Sequence, residues 1–201
     1  VVDPEGVNYG SSLAGARWPA GRRASVPPEA RERLATYRAR FRAERRTIVA
    51  HGSDLAPAEI RSQLGIPPDA PIVLLPLQIE TDSNIIRHSP WYRTMPDLIR
   101  DVAAAVEAIP GAWLVVKPHP EDRDRLDELA GLLGARGRLA GAIGLPALLE
   151  TAAAVATINS TVGIEALMAG KEVVTLGRAI YGEKGFTHDI VGREDVGTKV
   201  A

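Results

Sequence analysis

From Pro71 to Leu176 the chain repeats one pattern: a short apolar run, a polar turn, then a stretch with helical spacing of apolar residues. The apolar runs are Ile72 to Leu77, Trp113 to Val116, Leu139 to Ile143, Ala153 to Ile158 and Glu172 to Leu176. Between them the spacing predicts helices over Asp97 to Ile109, Arg123 to Leu133, Pro146 to Thr151 and Val162 to Ala169. The runs lack polar alternation, so each strand must be covered on both faces, and strands separated by helices must run parallel. The expected fold is therefore α/β, a Rossmann-like doubly wound parallel sheet. In such sheets a ligand sits beyond the carboxyl ends of the strands, near the point where the strand order reverses. Function should be sought at the strand ends.

The first 70 residues read differently. Residues 1 to 28 are rich in Gly, Pro and Ser and predict irregular structure. Glu29 to Arg46 is a charged helix with Leu34, Tyr37 and Phe41 on one face and seven Arg, preceded by Arg17, Arg22 and Arg23. Packing through the Leu/Tyr/Phe stripe is one reading; contact with anionic headgroups or an acidic glycan is the other. Pro57 to Leu64 predicts a short helix closed by Gly65. We therefore divide the chain into an irregular and helical segment over 1–70, a remnant of or linker to a further domain, and a sheet domain over 71–201. Starting without Met and ending mid-pattern, the sequence reads as part of a longer protein.

Three strand ends carry chemistry. The first is Gln78-Ile79-Glu80-Thr81-Asp82-Ser83-Asn84, leading into a long loop with Arg87, His88 and Tyr92. Asp82 suits a nucleophile or general base; an Asp–Ser–Asn turn bonding its own backbone is the competing reading. The second is Lys117-Pro118-His119-Pro120, where flanking prolines fix the backbone around one His. His119 and Lys117 then suit a phosphate, although a lone His is often a structural hydrogen-bonder. The third is Asn159-Ser160-Thr161-Val162-Gly163-Ile164-Glu165. Ser160 and Thr161 stand where an N-cap belongs, and free N–H groups with a helix dipole make an anion seat. Glu165, one turn on, is placed to accept from a sugar hydroxyl. After the last strand, Tyr181, Lys184 and His188 are candidates for a lid in a Gly-rich, partly looped tail. His51 has no assigned role.

Other chemistries lack their signatures. Net charge is −1, which gives nucleic acid no support as a partner, and Cys is absent, so there is no disulfide, thiolate metal site or thiol nucleophile. No dinucleotide or P-loop glycine pattern, no His-Glu-x-x-His and no Gly-x-Ser-x-Gly occurs. We expect no metal and no cofactor. We also expect a cytoplasmic protein, since no apolar run reaches the roughly 18 residues of a membrane span.

Taken in order, Leu77 to Ser83, Lys117 to Pro120, Asn159 to Leu167 and Gly177 to Tyr181 resemble the bacterial capsule polysaccharide biosynthesis family. Its characterised members are Kdo transferases that use CMP-β-Kdo. The resemblance covers about Pro71 to Asp189. It implies the nucleotide-sugar half of a GT-B-like glycosyltransferase, with a nucleotide sugar as substrate and a glycan or glycolipid as acceptor. By the family pattern His119, Ser160 and Thr161 hold the CMP phosphate, with Lys117, Asn159 and Tyr181 beside them, and Glu165 lies near the nucleotide. Asp82 matches the catalytic carboxylate of retaining members, and Gln78 orients ligand or carboxylate beside it. Contact with the inner membrane or the capsule export machinery also follows from the resemblance. Two alternatives remain: a CDP-alcohol phosphotransferase of teichoic-acid type, and a non-catalytic nucleotide-sugar-binding module.

Overall fold

A computed structural model describes Ala16, residues 27–44, Ser53 and residues 55–201, the side chains of Arg42 and Arg123 apart. The expectations for residues 1–15 and 17–26, including Arg17, Arg22 and Arg23, and for His51 lie outside the described residues.

Six parallel strands form one sheet in the order β3-β2-β1-β4-β5-β6. They are β1 (Ile72–Pro76), β2 (Trp113–Lys117), β3 (Gly137–Leu139), β4 (Ala154–Thr157), β5 (Glu172–Thr175) and β6 (His188–Asp189). The helices are α1 (Pro28–Glu44), α2 (Pro57–Leu64), α3 (Ser83–His88), α4 (Met95–Glu107), α5 (Leu126–Ala130), α6 (Leu145–Thr151), α7 (Val162–Ala169) and α8 (Val196–Val200). Short 3-10 turns cover Pro120–Arg125 and Arg193–Asp195. The order is doubly wound, and it reverses between β1 and β4.

The central strand shows why the pattern demands two covered faces. All five residues of β1 are buried. Val73 and Leu75 join Leu114, Val116, Ala156 and Val174 beneath α4 and α8. Ile72 and Leu74 join Val115, Val155 and Val173 beneath α2, α6 and α7. Successive side chains point to opposite faces, so a run of apolar residues fills both layers at once. Each fully buried Leu, Ile or Val contributes about 1.5–3 kcal/mol of transfer free energy. The helix α4 is the clearest local case. Thr94 accepts from Asp97 N–H at 3.3 Å, Pro96 occupies the first turn, and Leu98, Ile99, Val102 and Val106 are buried along one stripe.

Several expectations need correcting. The third strand is Gly137–Leu139, not Leu139 to Ile143. Its residues pair with Leu114, Val115 and Val116, and that register decides which part of the run becomes strand. Ile143 is buried but meets Ser53 in a single parallel bridge. The helix expected over Arg123 to Leu133 is a 3-10 turn followed by five residues of α5, because the Pro120 turn opens as a tight spiral. The loop after β1 contains α3, nucleated by an Asp82 cap. The tail is more ordered than expected: β6 pairs with β5, and Asp189 accepts from Thr187 Oγ1 and from Glu183 N–H at 3.0 Å.

Described residues ahead of residue 71 pack into the core layer of the sheet. Ile60 and Ile66 are buried in the layer with Leu74 and Val155. The α2 helix closes at Gly65, φ 64°, with Ile66 N–H donating to Arg61 O at 2.8 Å. The α1 stripe is mostly uncovered among the described residues: Leu34 is 50% and Tyr37 60% exposed, and Phe41 is half-buried. α1 meets α7 instead through Arg38, whose Nε donates to Met168 O at 3.0 Å.

Candidate functional site

A cavity of about 330 Å³ opens at the carboxyl ends of β1, β2 and β4, where the strand order reverses. Its walls include Gln78, Asp82, Lys117, His119, Asn159, Ser160, Thr161, Glu165 and Tyr181. The nine residues that the family pattern assigns to the site thus all line one cavity. The volume lies within the range of small-ligand sites.

Gln78 and Asn159 tie the two strands of the switch together. Gln78 Nε2 donates to Asn159 Oδ1 at 2.9 Å, and Asn159 N–H donates to Gln78 Oε1 at 3.2 Å. Asn159 Nδ2 then donates to Asn84 O at 3.1 Å, so the start of α3 is held to the exit of β4. Asp82 caps α3: its Oδ1 accepts from Asn84 N–H at 2.7 Å. The turn reading of Asp82 is therefore correct as local structure. It also places the carboxylate in the cavity wall, with one oxygen oriented by the cap.

The β2 exit carries the cations. Lys117 is 7% exposed, and its Nζ donates to Gly141 O at 2.7 Å and Ala140 O at 3.3 Å. Among the described residues no carboxylate pairs with it, and burial lowers its pKa. Two carbonyl dipoles only partly offset that charge, which leaves it able to attract an anion. His119 caps the 3-10 turn, its Nδ1 accepting from Glu121 N–H at 3.3 Å. That bond assigns the proton of a neutral imidazole to Nε2, the nitrogen left to donate. His119 N–H donates to Asp122 Oδ2 at 3.1 Å. Burial, the first cause, raises the Asp122 pKa, and the His119 N–H bond and the Arg125 charge act against it. Glu80 joins this loop to β1, accepting from Met95 N–H at 2.7 Å and lying 3.4 Å from Arg125 Nη1.

The β4 exit departs from expectation in one respect. The first-turn N–H groups of α7 are not left over for a ligand. Val162 N–H donates to Ser160 Oγ at 3.2 Å, Gly163 N–H to Ser160 O at 3.0 Å, and Ile164 N–H to Thr161 O at 2.9 Å. A tight turn satisfies them because each finds an acceptor two or three residues back. The dipole of α7 and the exposed Thr161 remain. Glu165 is 5% exposed and lines the cavity one turn on.

Tyr181 fastens this turn from outside. Its hydroxyl donates to Ser160 O at 2.6 Å, and its ring lies where any Cβ on Gly163 would have to sit. Lys184 and His188 do not line the cavity. Lys184 Nζ donates to Ala16 O at 2.7 Å, and His188 pairs with Glu172 at 2.9 Å on the β5–β6 side. The lid expectation fails for both, since these partners hold them elsewhere. Sequence reading missed Asn84, Leu145 and Ile180 in the wall. Asn84 had a signal, its place two residues after a capping Asp. Leu145 had none, since it arrives from α6 on another part of the chain.

Comparison with known proteins follows this geometry. The sequence profile of the capsule polysaccharide biosynthesis protein family matches residues 29–195. The capsule polysaccharide export protein KpsS of Escherichia coli is 38% identical over 123 residues, 56% of this chain and 31% of that protein. Protein FixF of Sinorhizobium fredii is 36% identical over 114 residues, 54% of this chain and 27% of its own length. The chain thus spans about a third or less of these relatives. Among solved structures, the β-Kdo 2,4 transferase of Thermosulfurimonas dismutans KpsC superposes with TM-score 0.63 at 22% identity, covering 94% of this chain and 58% of that one. The β-Kdo 2,7 transferase of the same KpsC gives TM-score 0.52 at 25% identity, covering 78% and 52%. These neighbours are GT-B glycosyltransferases, and the likeness shows a shared fold. With most of its length matched, the chain belongs to the capsule polysaccharide biosynthesis protein family.

Proposed function

We propose that this chain is the nucleotide-sugar-binding half of a glycosyltransferase that builds a capsule or related surface polysaccharide. The donor is a CMP-activated sugar, Kdo by the family resemblance, and the acceptor is a glycan or glycolipid at the inner face of the cell membrane. One observation carries the reading: a single cavity at the switch joins Lys117, His119 and the α7 N-terminus to the carboxylates Asp82 and Glu165. The cationic side suits the phosphate of a leaving nucleotide, and the acidic side suits a sugar and its reacting carbon.

Retention would take two displacements. In the first, Asp82 bonds to the anomeric carbon as the bond from that carbon to the phosphate oxygen breaks, and CMP leaves. His119 Nε2–H, Lys117 and the α7 dipole stabilise the charge gathering on that phosphate. In the second, the acceptor hydroxyl oxygen bonds to the anomeric carbon as the bond to Asp82 breaks, and the hydroxyl proton passes to water. The Asn84 N–H that Asp82 caps orients its carboxylate, and Asn159, braced by Gln78, holds Asn84 O.

Calorimetric titration with CMP, CDP and UDP tests the reading. CMP should bind, and Asp82→Asn should retain CMP affinity. Transfer measured in the full-length protein should fall by at least about 10³-fold in that variant, because it lacks the nucleophile. Absence of binding by all three nucleotides to folded protein would refute the site. Undiminished transfer by Asp82→Asn would remove Asp82 from the chemistry.

A further inference from the structure

Arginine in this domain is almost always committed to a partner. Arg61, Arg93, Arg125, Arg136, Arg138 and Arg193 each hold a carbonyl or a carboxylate. Arg87 and Arg178 are the contrast. Both are exposed, and among the described residues neither guanidinium has a hydrogen-bond or ion-pair partner. They come from different strand exits, β1 and β5, yet the backbone brings them together: Arg178 N–H donates to His88 O at 3.2 Å. Both charges reach His88, whose pKa is lowered first by burial and then by Arg87 and Arg178.

Their place relative to the cavity is set by helical spacing. Asn84, Arg87 and His88 are three and four residues apart on α3, so they share one face, and Asn84 lines the cavity. Arg178 precedes by two residues the cavity-lining Ile180. Two like charges held near each other without a counterion repel, and a bound anion relieves that cost. Exposed guanidinium groups present paired N–H donors suited to carboxylate or phosphate oxygens.

We propose that Arg87 and Arg178 form an anion anchor at the rim of the cavity, receiving a carboxylate or phosphate group carried by the sugar substrates. This rests on the reading of the cavity as a nucleotide-sugar site. The anion has two sources: the carboxylate of an acidic donor sugar, or a phosphate on the acceptor. The anchor lies outside the Lys117–His119 phosphate seat, so it adds selectivity for a second charged group without contributing to CMP affinity.

The test titrates the 201-residue chain with free Kdo and, separately, with sn-glycerol 3-phosphate, following amide chemical shifts. Arg87→Gln/Arg178→Gln is compared with the wild type, and CMP is titrated into both. Binding of Kdo identifies the donor carboxylate, and binding of glycerol phosphate identifies the acceptor phosphate. In either case the double variant should bind the anion at least about tenfold more weakly, a loss of about 1.4 kcal/mol. CMP affinity and the unfolding temperature should not change. Failure of both anions to bind wild-type protein, or equal binding by the double variant, overturns the anchor. Failure of CMP alone overturns the nucleotide reading and leaves an Arg-dependent anion response standing.

Discussion

The two ends of the sheet use their charges in opposite ways. At the amino-terminal end, Arg136 is consumed by structure: it donates to the carbonyls of Ile109, Ala112 and Glu107 and pairs with the Glu107 carboxylate at 3.1 Å. Arg138 beside it donates to Leu64 O at 2.8 Å and stacks 4.5 Å from the Trp113 ring centroid. At the carboxyl-terminal end, Lys117 has only carbonyl partners, and Arg87 and Arg178 have none among the described residues. Charge at one end closes helix and strand termini. Charge at the other is divided: Arg93 and Arg125 are held by loop partners, whereas Lys117, Arg87 and Arg178 have no carboxylate partner among the described residues. In doubly wound folds the ligand end is the carboxyl end of the strands, where these uncommitted charges lie.

This contrast can be broken most forcefully at Arg136. Arg136→Ala should lower unfolding free energy by about 2 kcal/mol, since two half-buried carbonyls and one exposed one lose their donor. It should leave CMP affinity untouched, and chemical denaturation with calorimetry reads both quantities. Arg87→Gln and Arg178→Gln should each change stability by less than about 0.5 kcal/mol. If the two classes destabilised equally, the division between the ends would be false.

Gly163 sharpens the comparison from the site's side. Gly163→Ala places a methyl against Tyr181 and should cost about 1–3 kcal/mol through overpacking. In a Tyr181→Ala background the same change should cost much less, because the obstructing ring is gone. An additive pair in denaturant melts would show that the α7 turn does not depend on Tyr181.

The smallest effect is at Lys117. Burial lowers its pKa from the ordinary value of 10.5, so the folded protein binds this proton less tightly than the unfolded chain does. Stability should therefore rise with pH between the lowered folded value and 10.5, where the unfolded chain still holds the proton. Below that window both states are charged and the burial penalty is fully present. Lys117→Met should remove this increment when denaturation is compared across alkaline pH. An unchanged pH profile would mean the ammonium is not desolvated.

Much of this was legible before the structure. The Ile72–Pro76 run is apolar throughout, and only a strand buried on both faces uses such a run. Val162–Ala169 and Pro57–Leu64 were legible to the residue because Gly170 and Gly65 end them in left-handed conformation. The failures share a cause. Leu139 to Ile143 reads as one apolar run, but pairing with β2 takes only Leu139 from it and adds Gly137 and Arg138. The Leu34/Tyr37 stripe has helical spacing and no described surface to cover it. Periodicity reports which side chains share a face. It does not report whether a neighbour exists.

The order of apolar runs and turns thus determined an α/β doubly wound sheet, and the residue types at three strand ends marked the candidate ligand residues. These properties are local: they depend on side-chain alternation, capping and the backbone limits of Pro and Gly. The tertiary structure alone decided that the three ends share one cavity, that Gln78 and Asn159 clamp the switch, and that Tyr181 locks the Ser160 turn. It alone brought the Arg178 backbone against His88, the neighbour of Arg87. Such contacts join residues 81, 21 and about 90 positions apart, and only the closed sheet brings those positions together.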